Sequence, residues 1–585
     1  MDLRSDGAQK LRYSKIGEQL LNIPGSPIAY WISEGMMSAF ESSLSFADEF
    51  EPKQGLATGD NDRFLRYFHE VSRNNTDFEQ YDYALFKSKK KWFPYSKGGS
   101  PRRWFGNSEL VVDWKDNGYA LENYKDAKNK RLSTLKNLKF IFREALTWSL
   151  TSSSEMALCV RYRPAGFVFD TNGMSAFPAE GGAFSLNFAV AMLNSTVCQE
   201  ALKYINPTLA YQSGDIAKVP FPKAEVAYPE KRLVGRLVSL SKSDWDAYET
   251  SWDFTTLPLL AAEHRAETVV ASCGKLRAHW QGMTDEMQRL EEENNRIFID
   301  AYDLQDELTP EVPIEEITLT CNPAYRYGVK VLEDEREARL RADTMAEFLH
   351  YAVGCMFGRY SLDAPGLILA NQGEGLVDYL ARIPAPSFAP DANNVIPLLD
   401  ADWFPDDVTE RFRKFLRVTF GEECFRENLR FIEDSLGKDI RRWFTKDFYD
   451  YHVRRYKKRP IYWLFASPKG SFQALIYMHR YRPDTVSVLL NDYVREFITK
   501  LQGERRRLEA LADDQAASQA QRTRAVKDTA SIARQIEELT AWERDVIFPL
   551  AQRQIAIDLD DGVKVNYPKF VPAAKPIKGL EDADD

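Results

Sequence analysis

Apolar residues change their spacing along this chain, and the changes divide it. From about Phe64 to Pro222, short aromatic and β-branched runs (Leu110–Trp114, Phe140–Phe142, Gly166–Phe169) are separated by clusters of Gly, Asn, Pro and Ser, which predicts strands. A helix is expected to open within Phe188–Ser195 and run to about Tyr204. Leu276, Trp280, Met283, Met287, Leu290, Ile297 and Ala301 then recur at helical intervals, giving an amphipathic helix. Beyond Met345 the pattern mixes again: a helix holding Phe348, Ala352 and Cys355, the apolar run Val395–Phe404, helical Arg411–Phe420, and the aromatic block Arg441–Tyr481. From Val494 to Ile547, Leu501, Leu508, Leu511, Ile532, Ile536 and Leu539 sit at helical spacing with alanine between them. This predicts one very long helix or an antiparallel pair. The expected fold class is α+β multidomain: a mixed α/β domain, a helical spacer, a second α+β lobe, and a long C-terminal helix or helical hairpin.

Composition supports packed cores, with 585 residues of which 44% are hydrophobic and 13% aromatic. A net charge of -10 argues against a protein that coats nucleic acid wholesale. A local basic groove is compatible with it, because the local field decides. Cys159, Cys198, Cys273, Cys321, Cys355 and Cys424 have neither zinc-site spacing nor a secreted disulfide framework, so reduced thiols are expected. No apolar run reaches the ~18 residues of a membrane span. The start, Met1–Asp6, lacks the apolar core of a signal peptide, so a soluble, cytoplasmic protein is expected.

Candidate chemistry lies in basic clusters. Lys87, Lys89, Lys90, Lys91, Lys97, Arg102 and Arg103 fall within Lys87–Phe105 without an acidic residue, interleaved with Trp92, Phe93, Tyr95, Trp104 and Phe105. Cations at that density suit phosphate oxygens, and planar rings can stack on bases; a solvated loop anchored by its aromatics is the plain alternative. Gly98–Gly99 would let backbone approach a phosphate. Arg161 and Arg163 alternate with apolar neighbours and should share one strand face, toward nucleic acid or toward water. A second edge, Arg454, Arg455, Lys457, Lys458 and Arg459, precedes the aromatic run Pro460–Phe465, with Lys469 in the turn beyond it. Phosphate contacts and a solvated basic edge both explain it. Gly55–Val71 begins as a turn in which Thr58 and Asn61 offer a hydroxyl and an amide beside two glycines. Trp245 and Trp252, with acids between them, suggest a joint in which indoles bury and carboxylates cap.

Catalytic patterns are sparse. No phosphate-cradling glycine loop appears, and His69-Glu70 is not followed by the second histidine of a His-Glu-x-x-His zinc motif. Asn322-Pro-Ala-Tyr325 is one residue away from the Asn-Pro-Pro-Tyr motif of amino-methylating enzymes. With Ala324 in place of the second proline and no glycine-rich AdoMet loop upstream, it is expected to be a turn before a helix.

Several segments resemble one family. Asn22-Ile-Pro-Gly-Ser-Pro-Ile-Ala-Tyr-Trp31, Gly55-Leu-Ala-Thr-Gly-Asp-Asn-Asp-Arg-Phe64, Leu193-Asn-Ser195 with Asn206-Pro-Thr208 and Gly214-Asp-Ile216, Trp245–Phe254, Lys458-Arg-Pro-Ile-Tyr-Trp-Leu-Phe465 with His479-Arg-Tyr481, and Asp558–Phe570 together resemble adenine-specific DNA methyltransferases of the type IIG-like kind. Among these the likeness is to the C-terminal half of the PglX methyltransferases of BREX phage-defence systems. The resemblance implies a linker at 1–54 following a missing catalytic domain, a DNA target-recognition domain at 55–225 and a helical spacer at 226–344. It further implies a C-terminal α+β lobe at 345–490, a long helical segment at 491–550 and a tail at 551–585. It implies binding of double-stranded DNA, a catalytic half in cis or in trans that uses AdoMet, and other BREX proteins as partners. No catalytic, cofactor or metal residue is expected in this chain, which would be inactive alone. The other function class is a protein-interaction scaffold that docks defence components through its C-terminal helices.

Overall fold

The computed structural model describes residues 31–80, 83–84, 86–151, 158–223 and 228–580. The proline-punctuated leader before Trp31 and the acidic end Glu581–Asp585 lie outside the described residues. The protein is α+β and divides into two compact units that interleave along the sequence. The first comprises Met1–Asn61, Asp77–Trp245 and Trp280–Val329, and the second Asp62–Thr76, Asp246–His279 and Lys330–Asp585.

In the first unit, Ser33 starts the helix Glu34–Ser42 by accepting the Met36 N–H at 3.1 Å, and Met36, Met37, Ala39 and Phe40 form its buried stripe. Four antiparallel strands follow in spatial order Phe50–Lys53, Gly173–Pro178, Ala145–Ser149, Val160–Arg163. A second set pairs Leu110–Asp113 antiparallel with Trp92–Ser96, which pairs in parallel with Val168–Phe169. Every residue of Trp92–Ser96 is buried, so the aromatic half of the basic run forms core. Phe140–Phe142 is not a strand. Leu138–Phe140 makes one 3-10 turn, Phe142 takes φ 68°, and pairing begins only at Ala145. The cause is a local clasp: Phe142 N–H donates to Phe167 O at 2.9 Å and Gly166 N–H donates back to Phe142 O at 2.8 Å. The helices Leu186–Leu193 and Thr196–Ile205 are each capped by a serine, Ser185 and Ser195. Residues 280–301 of the helix Val269–Ala301 pack here through Met283, Met287, Leu290 and Phe298.

The second unit is built on the helix Glu333–Phe357, buried continuously from Thr344 to its end. Phe348 meets the rings of Phe412, Phe415 and Phe420 at 5.8, 5.7 and 6.0 Å, which ties it to the helix Val408–Phe420. Three antiparallel strands, in order Val395–Pro397, Gln473–Tyr477, Tyr462–Ala466, complete the core.

A polar spine runs through that core. The Ile461 and Tyr462 N–H groups donate to His452 Nε2 at 3.1 and 3.0 Å, so the proton of neutral His452 is on Nδ1. That proton is donated to His350 Nε2 at 2.9 Å, which leaves His350 protonated at Nδ1 to donate to Glu249 Oε1 at 3.1 Å. Tyr456 adds its hydroxyl to the other oxygen of Glu249 at 3.3 Å. Two backbone amides at a strand start thus fix the tautomers of two histidines and the orientation of a buried carboxylate. Burial pulls His452 well below the usual histidine pKa, assisted by His350 and His69.

The alanine-rich C-terminal segment is a helical hairpin, Arg495–Asp513 and Gln519–Trp542. Ser518 caps the second helix, and an Arg495–Glu543 ion pair of 2.7 Å at the base marks the antiparallel arrangement. Among the described residues no helix is long and apolar enough to cross a membrane.

Candidate nucleic-acid interface

The two arginine pairs expected to face phosphates point inward. Arg102 donates to Asp244 Oδ2 and to the carbonyls of Ser241 and Phe105, at 2.7–2.8 Å, and to Thr320 Oγ1 at 3.1 Å. Arg103 is bound by Glu291 at 2.7 Å and Glu316 at 3.0 Å, while Trp104 Nε1–H donates to the other oxygen of Glu291 at 2.6 Å. The run looked unpaired because its acids lie far ahead in the sequence. Arg161 and Arg163 do share a strand face, but it is the buried one. Arg163 donates to Ser175 Oγ at 2.8 Å and to Arg143 O at 3.1 Å, and lies 5.3 and 5.6 Å from the rings of Phe169 and Phe177. Burial pulls its pKa down to about 9, still above neutrality, and the aromatic faces take the place of a carboxylate. Gly98 and Gly99 have positive φ and face protein: a Cβ on Gly99 would meet the Asn107 side chain at 2.7 Å. What remains at the surface of the run is Lys87, Lys89 and Lys90, with Lys91 and Lys97 half-buried and the Lys91 ammonium 5.0 Å from the Trp92 ring.

In the second unit Arg454, Lys457, Lys458 and Lys469 are exposed. Arg455 is not: it pairs with Glu347 at 3.4 Å and donates to Tyr451 Oη at 3.1 Å. Arg459 is drawn off by Asp62 at 3.7 Å and Glu70 at 3.9 Å. Lys457 and Lys458 hold left-handed backbone, φ 49° and 60°, where the chain leaves the helix Phe448–Arg455.

The glycine-flanked turn is also an internal device. Thr58 is buried and donates to Asn61 Oδ1 at 2.8 Å, while Asn61 itself is exposed. Gly55 is required by close approach, since a Cβ there would lie 2.0 Å from Phe169 O. The turn positions a neighbouring stretch. Ala57 and Thr134 exchange two backbone hydrogen bonds of 2.8 Å, Asn137 Nδ2–H donates to Gln54 O at 2.8 Å, and Lys136 donates to Gln54 Oε1 at 3.1 Å. At the far end Tyr124 Oη–H meets Asp60 Oδ2 at 3.5 Å. Residues 53–60 and 124–140 therefore run alongside one another in opposite directions.

That stretch carries cations the sequence reading passed over. Lys125, Lys128, Lys130, Arg131, Lys136, Lys139 and Arg143 share the span 124–143 with a single acid, Asp126. All seven are exposed, and among the described residues only Arg131 is paired with an acid, Glu122 at 3.1 Å. Lys139 and Arg143 lie 4.9 and 5.4 Å from the Phe140 ring, with Lys53 at 5.4 Å, so a buried aromatic anchors three cations. A windowed count of charge would have found the stretch. The absence of interleaved tryptophan and tyrosine hid it.

Neither the Asn322–Tyr325 turn nor the acids of the tryptophan joint are offered to a ligand. Asn322 is buried, caps the helix Pro323–Tyr327 by accepting the Ala324 N–H at 3.0 Å, and donates to Ile314 O and Ile317 O at 2.7 and 2.9 Å. Its amide is wholly used within the fold, which does not fit the role of binding a target amine. At the tryptophan joint the burial is the reverse of that expected: Asp244 is buried in an ion pair with Arg102 and Glu249 is buried accepting from His350 and Tyr456, while Trp245 and Trp252 are half-buried. Among the described residues, no group of three or more His, Cys, Asp or Glu side chains is placed to hold a metal ion.

No family model matches the chain. It is 35% identical over 574 residues to the adenine-specific methyltransferase BrxX of Escherichia coli O9:H4 (strain HS), an alignment covering 95% of this chain and 45% of that protein. It is 36% identical over 563 residues to the adenine-specific methyltransferase PglX of Lacticaseibacillus casei (strain Zhang), covering 94% and 44%. The chain spans about half the length of these relatives. Over nearly all of its own length, then, the chain is a homologue of proteins named as adenine-specific methyltransferases.

Proposed function

We propose that this chain binds duplex DNA as the target-recognition and clamp portion of an adenine-specific, AdoMet-dependent DNA methyltransferase of a BREX phage-defence system. A catalytic portion, in cis or in trans, supplies methyl transfer. The observation that carries the reading is the exposed cationic edge of the first unit, where Lys125, Lys128, Lys130, Lys136, Lys139 and Arg143 stand beside residues 53–60 with no acidic partner among the described residues. Cations held this way suit phosphate oxygens spaced along a duplex. Relatedness to two proteins named as adenine-specific methyltransferases gives the contact its purpose. Lys87, Lys89, Lys90, Arg454, Lys457, Lys458 and Lys469 are exposed and would add further phosphate contacts. The Asn322 amide, consumed as a buried cap, is not offered to a target amine in this chain.

The test is duplex binding by the full chain beside the triple variant Lys136→Ala, Lys139→Ala, Arg143→Ala. The variant should bind every duplex more weakly and to a similar extent, with its circular dichroism unchanged. Equal affinity of the two proteins would remove this edge from the interface.

One observation favours a second reading, a scaffold for other defence components. The helical hairpin is exposed over much of its length, with Val526 at 59% and buried positions confined, in its second helix, to Ala525, Leu539 and Trp542. Binding through such faces would be nearly indifferent to salt.

A further inference from the structure

We propose that the hairpin Tyr124–Leu132 enters the DNA major groove, with Asn129 reading a base edge and Lys128 and Lys130 holding the flanking phosphates. The inference rests on the DNA-binding reading above and adds a specificity-determining residue to it.

The hairpin is ordered by its own atoms. Asp126 N–H donates to Lys130 O at 2.9 Å and Asn129 N–H donates to Asp126 O at 3.0 Å, which makes a three-residue loop closed by a turn and a left-handed residue. Asn129 is that residue, with φ 62°. The Asp126 carboxylate accepts the N–H groups of Lys128 and Lys130, both at 2.9 Å. The only acid of the loop thus braces its backbone. At the base Leu132 N–H donates to Tyr124 O at 3.0 Å, Lys125 and Arg131 face one another, and Arg131 Nε–H donates to Glu122 O at 2.9 Å. The tip therefore presents three exposed polar side chains, Lys128, Asn129 and Lys130, on a frame ordered by its own hydrogen bonds.

A two-stranded ribbon fits the major groove, which is about 12 Å wide, and asparagine there can accept from and donate to adenine in a bidentate pair. Lys128 and Lys130 precede and follow Asn129 in the chain and are exposed, so both cations are offered to phosphates flanking the base it reads. The plain explanation of Asn129 is conformational, because asparagine tolerates left-handed backbone. Glycine tolerates it better, so Asn129→Gly preserves the turn and removes only the amide.

The experiment starts by selecting a motif from a randomised duplex library with the full chain, then compares the wild type with Asn129→Gly, Lys128→Ala and Lys130→Ala. Asn129→Gly is expected to leave affinity for unrelated duplex and its salt dependence unchanged, while preference at one position of the motif falls about ten- to a hundredfold. Each lysine variant should lower the salt slope by about one without altering base preference. If the wild type selects a motif and Asn129→Gly keeps every preference, the hairpin proposal falls and DNA recognition stands. If the wild type binds duplex without selecting a motif, base reading by Asn129 is likewise overturned. If the wild type does not bind duplex at low salt, the recognition reading itself falls, and this inference with it.

Discussion

At the scale of single residues, the cations of the first basic run separate into two kinds that composition cannot distinguish. Arg102 and Arg103 are core ion pairs, whereas Lys87, Lys89 and Lys90 are surface. Removing one partner of a buried pair leaves the other uncompensated and costs about 3–5 kcal/mol, more than the pair contributes over an apolar replacement. Arg102→Ala should therefore destabilise the first unit by about that much in chemical unfolding, because the buried Asp244 would lose its counter-charge and keep hydrogen bonds from neutral groups such as the Thr320 and Cys321 N–H. Lys89→Ala should be within about 0.5 kcal/mol of neutral. The sequence showed the cations and their lack of local acids, and it could not show that Asp244, Glu291 and Glu316 return to meet them. Arg161 and Arg163 teach the same lesson: their shared face was legible from alternation, but which side it faced depended on Phe167, Phe169 and Phe177. The histidine spine offers a sharper check. Nitrogen chemical shifts of His452 should report a neutral ring protonated at Nδ1 at pH 7, and a ring protonated at Nε2 would contradict the chain of donors from Ile461 to Glu249.

At the scale of elements, helices were more legible than strands. The stripe Leu276–Leu290 and the helix around Phe348 follow from spacing, and the C-terminal segment was read as a long helix or a pair, which Ser518 and the Arg495–Glu543 contact resolve into a hairpin. Phe140–Phe142 has strand composition, yet its backbone is diverted by the clasp to Phe167. The hairpin Tyr124–Leu132 has no apolar alternation to mark it in the sequence, because its signals are an Asx turn and one left-handed asparagine. Asp126→Ala should loosen this loop: hydrogen exchange at Lys128 and Lys130 should accelerate while the strand Ala145–Ser149 stays protected. Unchanged protection at the tip would mean that the carboxylate does not order it.

At the scale of the molecule, the two units interleave, and a division read along the chain cannot see that Asp62–Thr76 belongs with residues beyond Lys330. The second unit encloses His69, His452 and His479, all held below the usual histidine pKa by burial, His479 down to about 3. Unfolded, each would titrate near 6.5, so the unfolded state binds protons that the folded state refuses, and stability rises with pH. Acidification from about pH 6.5 should cost this unit up to roughly 1.4 kcal/mol per pH unit for each histidine. Denaturant midpoints of the second unit should fall steeply between pH 6 and 4.5, and a flat profile would show that these rings are accessible to protons.

The measurement that bears most directly on the account is the affinity of the full chain for mixed-sequence duplex DNA across a salt series. With an exposed cationic edge neutralising phosphates, log affinity should fall with log salt by about 0.9 per contact, and the Lys136→Ala, Lys139→Ala, Arg143→Ala variant should lose up to about 2.7 from that slope. Binding that ignores salt, or a slope identical in the variant, would contradict the assignment of this edge as the DNA-binding surface.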